Sequence, residues 1–266
     1  MSYPSALTIA GSDCSGGAGI QADLKTFAAL GVYGASVITA ITVQNTCGVR
    51  GVYPLPAHMV AEQLNAVLDD LPIAAVKIGM LSAADIVLAV AERLRAHKVA
   101  TVVIDTVMLS SSGAALLSDA ALEVMVTSLF PLATLITPNL PETARLLRVS
   151  DICDIPRAGA ALLALGAGAV LIKGGHAPGG DLVTDTLVTR DGVHAFTHPR
   201  LATPHTHGTG CALSSAITAG LAHGLPLVTA VERAIDWLAG AIANAWPLGH
   251  GAGPVHHLWQ IWPEQS

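Results

Sequence analysis

Short apolar runs rich in Val, Ile and Leu alternate with longer segments of helical periodicity along nearly the whole chain. The short runs are typical of β-strands, whereas the longer segments place apolar residues three or four positions apart, as amphipathic helices do. Ile20, Leu24 and Phe27, for example, share one face of the first predicted helix. Strands are predicted at residues 7–10, 35–43, 75–78, 102–105, 135–137, 169–173, 186–189 and 193–197. Helices are predicted at residues 19–30, 57–71, 83–96, 119–129, 141–147, 155–165, 209–223 and 227–245.

This alternation predicts an α/β fold of three layers, in which helices cover both faces of a mostly parallel central sheet. No linker, low-complexity tract or internal repeat interrupts the pattern, so residues 1–266 are predicted to form one domain. Ligands of such sheets bind at the carboxyl ends of the strands. Polar or glycine-containing segments follow six of the predicted strands and mark that edge: Gly11-Ser12-Asp13, Gln44-Asn45, Gly79-Met80, Asp105-Thr106-Val107, Pro138-Asn139 and Gly174-Gly175-His176.

The composition agrees with a sheet buried on both faces, since 52% of the residues are hydrophobic and only 12% are charged. The net charge of −6, without a basic cluster, argues against nucleic-acid binding. Residues 201–231 contain no Asp, Glu, Lys or Arg, but Pro204 and Pro226 leave only about one helix of continuous apolar sequence. We therefore predict a buried helix there and no membrane span.

The spacing of the cysteines indicates the cellular compartment of the protein. Cys14, Cys47, Cys153 and Cys211 show neither C-x-x-C pairs nor disulfide-like spacing, which indicates free thiols in a reducing environment. The N-terminal residues lack the basic and long apolar regions of a signal peptide. We expect a cytoplasmic protein.

The most informative motif is Gly208-Thr209-Gly210-Cys211, which runs directly into an apolar helical segment. A glycine turn that opens a helix leaves backbone N–H groups unpaired, and these donors together with the helix dipole form a site for an anion such as a phosphoryl group. Cys211 stands in the first turn, where the dipole is expected to favour the thiolate. An anion site beside a base or nucleophile indicates group transfer, and the alternative is a plain glycine-rich helix start.

A second glycine-rich segment, residues 11–19, separates the first predicted strand from the first helix. Its Gly17-Ala18-Gly19-Ile20-Gln21-Ala22 fits the dinucleotide fingerprint G-x-G-x-x-A, which also requires an acidic residue at the end of the next strand. That strand ends in Val43-Gln44-Asn45, so a Rossmann cofactor site is not favoured. The sequence contains no G-x-x-x-x-G-K-[ST] motif, which excludes a P-loop NTPase on motif grounds.

Asp23 and Gln44 are candidates for substrate binding. The Gln44 amide both donates and accepts hydrogen bonds, which suits the edge of an aminopyrimidine, although a satisfied loop residue is the alternative. Asp23 lies early in the first helix, where it is either a substrate partner or an acid stabilised by the helix dipole.

Oxygen ligands for a hard cation follow two other strands. Asp105 comes after Val-Val-Ile, and Asn139 and Glu142 come after Leu-Ile-Thr-Pro. Mg²⁺ takes one or two carboxylates and keeps water in its other positions. The alternative for Glu142 is an ordinary acid at a helix N-terminus.

Two charged residues and a set of histidines complete the candidates. Lys173 ends a buried run ahead of Gly174-Gly175, and we interpret it as a phosphate contact. Asp185 is either on the surface or near a nucleotide. A transition-metal site is not favoured, because no Cys or carboxylate stands at zinc-like spacing from the candidate histidines, which are His205, His207, His250, His256 and His257.

With these residues assembled, the chain resembles the ribokinase-like superfamily and, within it, the hydroxymethylpyrimidine/phosphomethylpyrimidine kinases of thiamine biosynthesis. Most kinases of the superfamily carry Asp after the Gly-x-Gly turn, whereas this branch carries Cys, as at Cys211. The resemblance spans essentially the full length. Its ordered blocks are Thr8-Ile9-Ala10-Gly11-Ser12-Asp13, Ser15 to Asp23, Thr42-Val43-Gln44-Asn45-Thr46, Lys77-Ile78-Gly79-Met80-Leu81, Thr137 to Glu142, Lys173-Gly174-Gly175-His176, Thr206 to Cys211 and Gly249 to His257.

The resemblance implies ATP-dependent phosphorylation of a hydroxymethylpyrimidine and then of its monophosphate, with ATP and Mg²⁺ as cofactors and a homodimer as the assembly. It implies that Cys211 is the catalytic base beside Gly208, Thr209 and Gly210. The residues that it places around the pyrimidine are Gln44, Gly11, Asp23, Met80 and Val107. It places Asp105 and Glu142 near Mg²⁺, and Lys173, Asp105 and Asn139 near the nucleotide. Loops 109–113 and 178–184 are candidates for admitting the phosphate of the second substrate.

One departure from the family and two alternative functions remain. Thr106 stands where the family usually has Pro, which frees a backbone N–H at the strand exit. A pyridoxal or pyridoxine kinase of the same branch is less favoured, because relatives of that kind tend to carry a second Cys in the flap, which here reads Leu109-Ser110-Ser111-Ser112-Gly113. A non-catalytic pyrimidine-sensing protein would not need the phosphoryl-transfer residues.

Overall fold

The computed structural model describes residues 3–108, 117–176 and 179–262. The strands are β1 (Ser5–Asp13), β2 (Tyr33–Asn45), β3 (Gly48–Pro54), β4 (Ala75–Ile78), β5 (Val102–Ile104), β6 (Leu135–Ile136), β7 (Val170–Ile172), β8 (Leu182–Val188) and β9 (Val193–Pro199). The helices are α1 (Gly19–Ala29), α2 (Ala57–Asp70), α3 (Ala84–Ala96), α4 (Asp119–Ser128), α5 (Leu140–Leu147), α6 (Ile155–Leu163), α7 (Thr209–Ala222) and α8 (Leu227–Ala243).

The described strands form one sheet in the order β3-β2-β1-β4-β5-β6-β7-β8-β9. The six strands from β2 to β7 in that order run parallel, whereas β3 pairs antiparallel with β2 at one edge and β8 pairs antiparallel with both β7 and β9 at the other. The predicted α/β class and the mostly parallel sheet are confirmed. The carboxyl ends of the parallel strands therefore lie at one edge, where the predicted polar segments follow them.

Side chains of the central strands alternate between two apolar cores. In β5, Val102 and Ile104 join the core on the side of α2, α3 and α4, whereas Val103 joins the core formed with α7 and α8. All three are fully buried. Because both faces of these strands are covered, the strands appear in the sequence as continuous apolar runs rather than as an apolar–polar alternation.

The helix predicted within residues 209–223 is α7, and its residues from Ala212 to Ala219 are buried against α1, α8 and the sheet. Such central burial explains why this segment carries no charged residue. Over the described ranges, no helix is both long and apolar enough to span a bilayer. All four cysteines are free thiols.

Each predicted strand and helix overlaps an observed element, but β3 was not predicted. Its sequence, Gly48 to Pro54, contains two glycines, an arginine and a terminal proline, which are poor signals for a strand. As an edge strand paired only with β2, it tolerates these residues because its outer hydrogen-bonding groups need no partner strand.

Candidate active site

A cavity of about 760 Å³ opens at the carboxyl ends of the parallel strands. All but one of the residues predicted for the site border it: Gly11, Gln44, Met80, Val107, Asp105, Asn139, Glu142, Lys173, Gly208, Thr209, Gly210 and Cys211. These residues come from segments spread over two hundred positions of the chain. The parallel topology brings them together, as the polar strand ends predicted.

The glycine turn at the start of α7 faces this cavity. Gly208 has φ of +81°, a left-handed conformation that glycine adopts without strain, and its Cα packs against the carbonyl oxygen of Gly17. A side chain at Gly208 would collide with that carbonyl. The N–H groups of Gly210 and Cys211 stand in the first turn of α7, where helical N–H groups have no partner within the helix. The turn therefore has the geometry of an anion hole.

Cys211 lies at the rim of the anion hole, but its ionisation differs from the expectation. Burial raises the pKa of its thiol to about 11, and this outweighs the opposing effects of Lys77 and of the Gly19 N–H. The expectation that the helix dipole favours the thiolate was wrong for this structure, because desolvation of the sulfur dominates. The resting side chain at neutral pH is therefore the protonated thiol.

Asp105, Glu142 and Lys173 form a charged cluster next to the anion hole. The Lys173 Nζ atom lies 3.1 Å from Asp105 Oδ1 and 4.0 Å from Glu142 Oε2. Burial would lower the pKa of Lys173, but the two carboxylates outweigh burial and raise it, so the amine is charged. A Cβ added to Gly210 would lie 3.4 Å from Asp105 Oδ2 and 3.6 Å from Lys173 Nζ. The cluster thus borders the place where the anion would sit.

Asn139 and Glu142 also have a structural role, as the alternative for Glu142 proposed. The Asn139 side chain accepts a hydrogen bond from the Glu142 N–H at 2.9 Å, and the Glu142 carboxylate accepts one from the Asn139 N–H at 2.8 Å. This capping box begins α5. The hydroxyl of Thr106 donates a third bond to Glu142, at 3.1 Å. The residue that replaces the family's Pro therefore holds the carboxylate that borders the cavity.

Gly11, Gln44 and Met80 border the part of the cavity near β1 and β2. The pairing of β1 with β2 shifts register at Gly11, and the pairing of β2 with β3 shifts register at Gln44. Such irregularities redirect side chains at strand ends. The Met80 side chain packs against Gly11, where a Cβ would collide with it. Val107 completes this apolar part of the lining.

Asp23 does not border the cavity. It is fully buried, and its carboxylate accepts hydrogen bonds from Lys77, Thr8 and Ser215 at 2.6 to 2.9 Å. These contacts leave it within the core between β1, β4 and α7, which argues against the expected direct contact with substrate. The placement of Asp23 corrects that part of the sequence analysis, because its position early in a helix did not show which way the side chain points.

The other end of the cavity is apolar and is formed by α7 and α8. Leu213, Ile235, Leu238, Ala239 and Ile242 line it. Asp185, which the sequence left open, lies at this cavity and accepts a hydrogen bond from the Gly174 N–H at 2.7 Å. His198 lies 3.4 Å from Asp185, whose hydrogen bond raises the pKa of the imidazole. An apolar slot with nearby polar groups suits a flat heterocyclic ring.

Sequence reasoning did not single out Asp13, Lys77 and His207, all of which line the cavity. Lys77 is a lone lysine within a buried strand, which is the signal that identified Lys173, so the same argument would have found it. Asp13 was noted only as part of a strand end. His207 was considered only as a metal ligand, but it lies 3.0 Å from Asp13, and within the described ranges no cluster of His, Cys, Asp and Glu suits a metal on its own. Loop residues 109–113 and Pro178 lie outside the described residues.

Comparisons with known proteins show the family to which the chain is similar. The family model for phosphomethylpyrimidine kinase matches residues 13–256. The hydroxymethylpyrimidine/phosphomethylpyrimidine kinase of Escherichia coli (strain K12) is 51% identical over 273 residues, which cover 98% of this chain and 100% of that protein. The crystal structure of phosphomethylpyrimidine kinase from Clostridium difficile 630 is 44% identical with a TM-score of 0.79, covering 90% of this chain and 99% of that one. The structure of the pyridoxal kinase from Staphylococcus aureus in complex with AMP-PCP and pyridoxal is 35% identical with a TM-score of 0.88. The match covers 98% of this chain and 96% of that one.

Proposed function

The chain belongs to the phosphomethylpyrimidine kinase family, and we infer that it phosphorylates 4-amino-5-hydroxymethyl-2-methylpyrimidine and then the resulting monophosphate, as a kinase of thiamine biosynthesis. ATP is the phosphoryl donor, in keeping with the ADP and AMP-PCP complexes of its structural neighbours. The observation that carries this function is the anion hole before Cys211, which lies in one cavity between a polar pocket and an apolar slot.

We propose that the anion hole holds the phosphoryl group during transfer. The Gly210 and Cys211 N–H groups and the Lys173 ammonium would stabilise the charge on its oxygens, and in-line transfer depends mostly on such positioning and charge stabilisation. The substrate hydroxyl gives its proton to the Cys211 sulfur, while its oxygen bonds to phosphorus and the bond from phosphorus to the ADP oxygen breaks. Cys211 must be deprotonated for this step, which sets the pH dependence of the reaction.

The residues present fit Mg²⁺, which we propose as the accompanying metal. Asp105 and Glu142 place two carboxylates at the cavity, and Mg²⁺ is usually held by one or two carboxylates together with substrate phosphates and water. When bound, the ion would neutralise charge on the phosphates of ATP. Asp105 and Glu142 would hold it beside the Lys173 ammonium, whose Nζ atom lies 3.1 Å from Asp105 Oδ1 and 4.0 Å from Glu142 Oε2.

We propose that Gln44 recognises the pyrimidine. Its side chain is half-buried at the register shift of β2, where its amide both donates and accepts. Replacing Gln44 with Leu is expected to weaken binding of the hydroxymethylpyrimidine about 10-fold or more, because a buried polar edge of the ligand is left unpaired. Calorimetric titration with the pyrimidine measures this. Affinity for a nonhydrolysable ATP analogue, titrated in parallel, should stay unchanged, and an unaltered pyrimidine affinity would exclude the role of Gln44.

Pyridoxal kinase remains the closest alternative activity, because pyridoxal kinases share this fold at TM-scores near 0.9. Their identity to this chain is about 35%, against 51% for the pyrimidine kinase of Escherichia coli. We expect coupled assays of ADP formation to give a higher kcat/KM with the hydroxymethylpyrimidine than with pyridoxal. A preference for pyridoxal would contradict the proposed function, and no turnover with either would favour the pyrimidine-sensing alternative.

We also propose a homodimer, which pairs the exposed apolar face of the β2–β3 hairpin with its copy. Ile41, Val43 and Tyr53 lie on this face and are 49%, 57% and 68% exposed. A two-fold interface brings the same patch of both subunits together. Replacing Ile41 with Glu is expected to give a monomer in light scattering at micromolar concentration, because a charge would be buried at the interface. If the wild-type chain is itself monomeric at micromolar concentration, the dimer proposal is wrong.

A cytoplasmic location is likewise our proposal, and the four free thiols support it.

A further inference from the structure

Asp13 joins the two glycine-rich loops of the site. It ends β1, is only 1% exposed, and its Oδ1 atom accepts hydrogen bonds from the Ser15 N–H at 2.8 Å and the Ser15 hydroxyl at 2.7 Å. Its Oδ2 atom accepts bonds from the N–H groups of Gly17 at 3.1 Å and Ala18 at 2.8 Å. The same oxygen lies 3.0 Å from the Nε2 atom of His207. One carboxylate therefore orders the loop of residues 14–18 and binds the residue that precedes the anion hole.

Two further contacts connect these loops. The Gly17 carbonyl packs against Gly208, and the His207 ring packs against Gly17, where a Cβ would collide with it. Gln44 borders the same cavity as Asp13. The loop that follows β1 and the segment that leads into α7 thus meet at one buried carboxylate.

The charge of Asp13 determines which atom donates and which accepts in its hydrogen bond with His207. Burial alone would raise the pKa of Asp13, but the hydrogen bonds from His207 and Ser15 outweigh it and hold the pKa well below its usual range. Asp13 is therefore an ionised acceptor, and the Nε2 atom of His207 carries the hydrogen. His207 is 8% exposed, and its backbone N–H donates to Gly253 at 3.1 Å, so its ring has little freedom to move.

We propose that Asp13 and His207 are positioning residues, which hold the anion hole at the distance from the pyrimidine pocket that phosphoryl transfer requires. Reacting atoms must approach within about 3–3.5 Å, and a displacement of about 1 Å lowers the rate on the order of 100-fold. Neither residue needs to contact the reacting atoms for this role. The inference rests on the proposed function, because it concerns the distance between the anion hole and the pyrimidine pocket of that site.

The test replaces His207 in the full-length chain. His207→Ala removes the donor to Asp13, and kcat is expected to fall about 100-fold while KM for the pyrimidine and for ATP changes less than about threefold. His207→Gln, whose amide supplies a donor near the position of Nε2, should recover most of kcat. Added imidazole should also raise kcat of His207→Ala, because the position borders the cavity.

His205→Ala is the matched control. It removes a histidine two positions earlier in the same loop, whose buried Nδ1 atom has no hydrogen-bond partner in the described part of the chain. We expect its kcat to stay close to that of the wild type. If His207→Ala does not fold, His207→Gln and His207→Leu can be compared instead. Both side chains fill the space of the imidazole, but only Gln supplies a hydrogen-bond donor to Asp13.

Amide hydrogen exchange gives a readout that does not depend on kinase activity. In His207→Ala, and not in His205→Ala, residues 14–18 and 208–211 should both exchange faster. Faster exchange in both loops, even if the wild-type chain turned over no pyrimidine, would support the coupling while the proposed function failed. Wild-type exchange in both loops, unchanged kcat, or an equal loss in His207→Gln and His207→Ala would overturn the inference.

Discussion

Replacing Cys211 with Ala is expected to lower kcat by about 10²- to 10⁴-fold, the range that a positioned general base contributes. The anion hole should persist, because its donors are backbone N–H groups and Gly208 keeps its left-handed conformation. Pyrimidine and ATP binding should therefore change little. Steady-state kinetics together with calorimetric titration of both ligands separate these effects.

The pH profile tests the same residue independently. Burial raises the pKa of the Cys211 thiol to about 11, and the proposed active form is the thiolate. Below the pKa the thiolate fraction grows about tenfold per pH unit, so kcat/KM should rise with pH throughout the neutral range. Cys211→Ala should lose this rising limb, whereas Cys153→Ala, which removes an exposed thiol, should keep it. Near-normal turnover of Cys211→Ala would show that another group accepts the proton.

Replacing Lys77 with Met is expected to lower the free energy of unfolding by about 3–5 kcal/mol, because it leaves the Asp23 carboxylate buried without its counterion. The Nζ atom of Lys77 lies 2.8 and 2.9 Å from the two oxygens of Asp23, and both side chains are fully buried. The hydroxyls of Thr8 and Ser215 cannot neutralise the remaining charge. Urea denaturation at neutral pH measures the loss.

A double variant distinguishes a missing counterion from lost packing. Asp23→Asn combined with Lys77→Met removes both charges and leaves no buried ion, so it should cost less than half of what Lys77→Met costs. Lys98→Met, which removes an exposed lysine after α3, should leave stability nearly unchanged. If the double variant were as unstable as the single one, loss of packing rather than an unpaired charge would explain the effect.

The sequence was sufficient for the fold because its signals are local. Alternating apolar runs and helical periodicity located the elements, and α7 was recognised as buried because 31 charge-free residues need a covered environment. The edge strand β3 was missed, since its glycines and proline are tolerated only by its position at the end of the sheet. That position is a property of the assembled sheet.

The candidate site likewise has features that the sequence predicts and features that it does not. Backbone-based features were readable from the sequence: a Gly-Thr-Gly turn at a helix start implies unpaired N–H groups wherever it occurs, and polar strand ends of a parallel sheet must meet at one edge. The orientation of single side chains was not readable. Asp23 points into the core towards Lys77, and Asp13 reaches His207 across 194 positions of the chain.

The amino-acid sequence by itself determined the architecture, the edge that carries the site and the glycine turn that precedes Cys211. Only the tertiary structure decided which acids face the cavity, which are neutralised within the core and how strongly the Cys211 thiol holds its proton. The physical reason is that periodicity and backbone conformation depend on neighbouring residues, whereas burial and charge pairing depend on groups that folding brings together from distant segments.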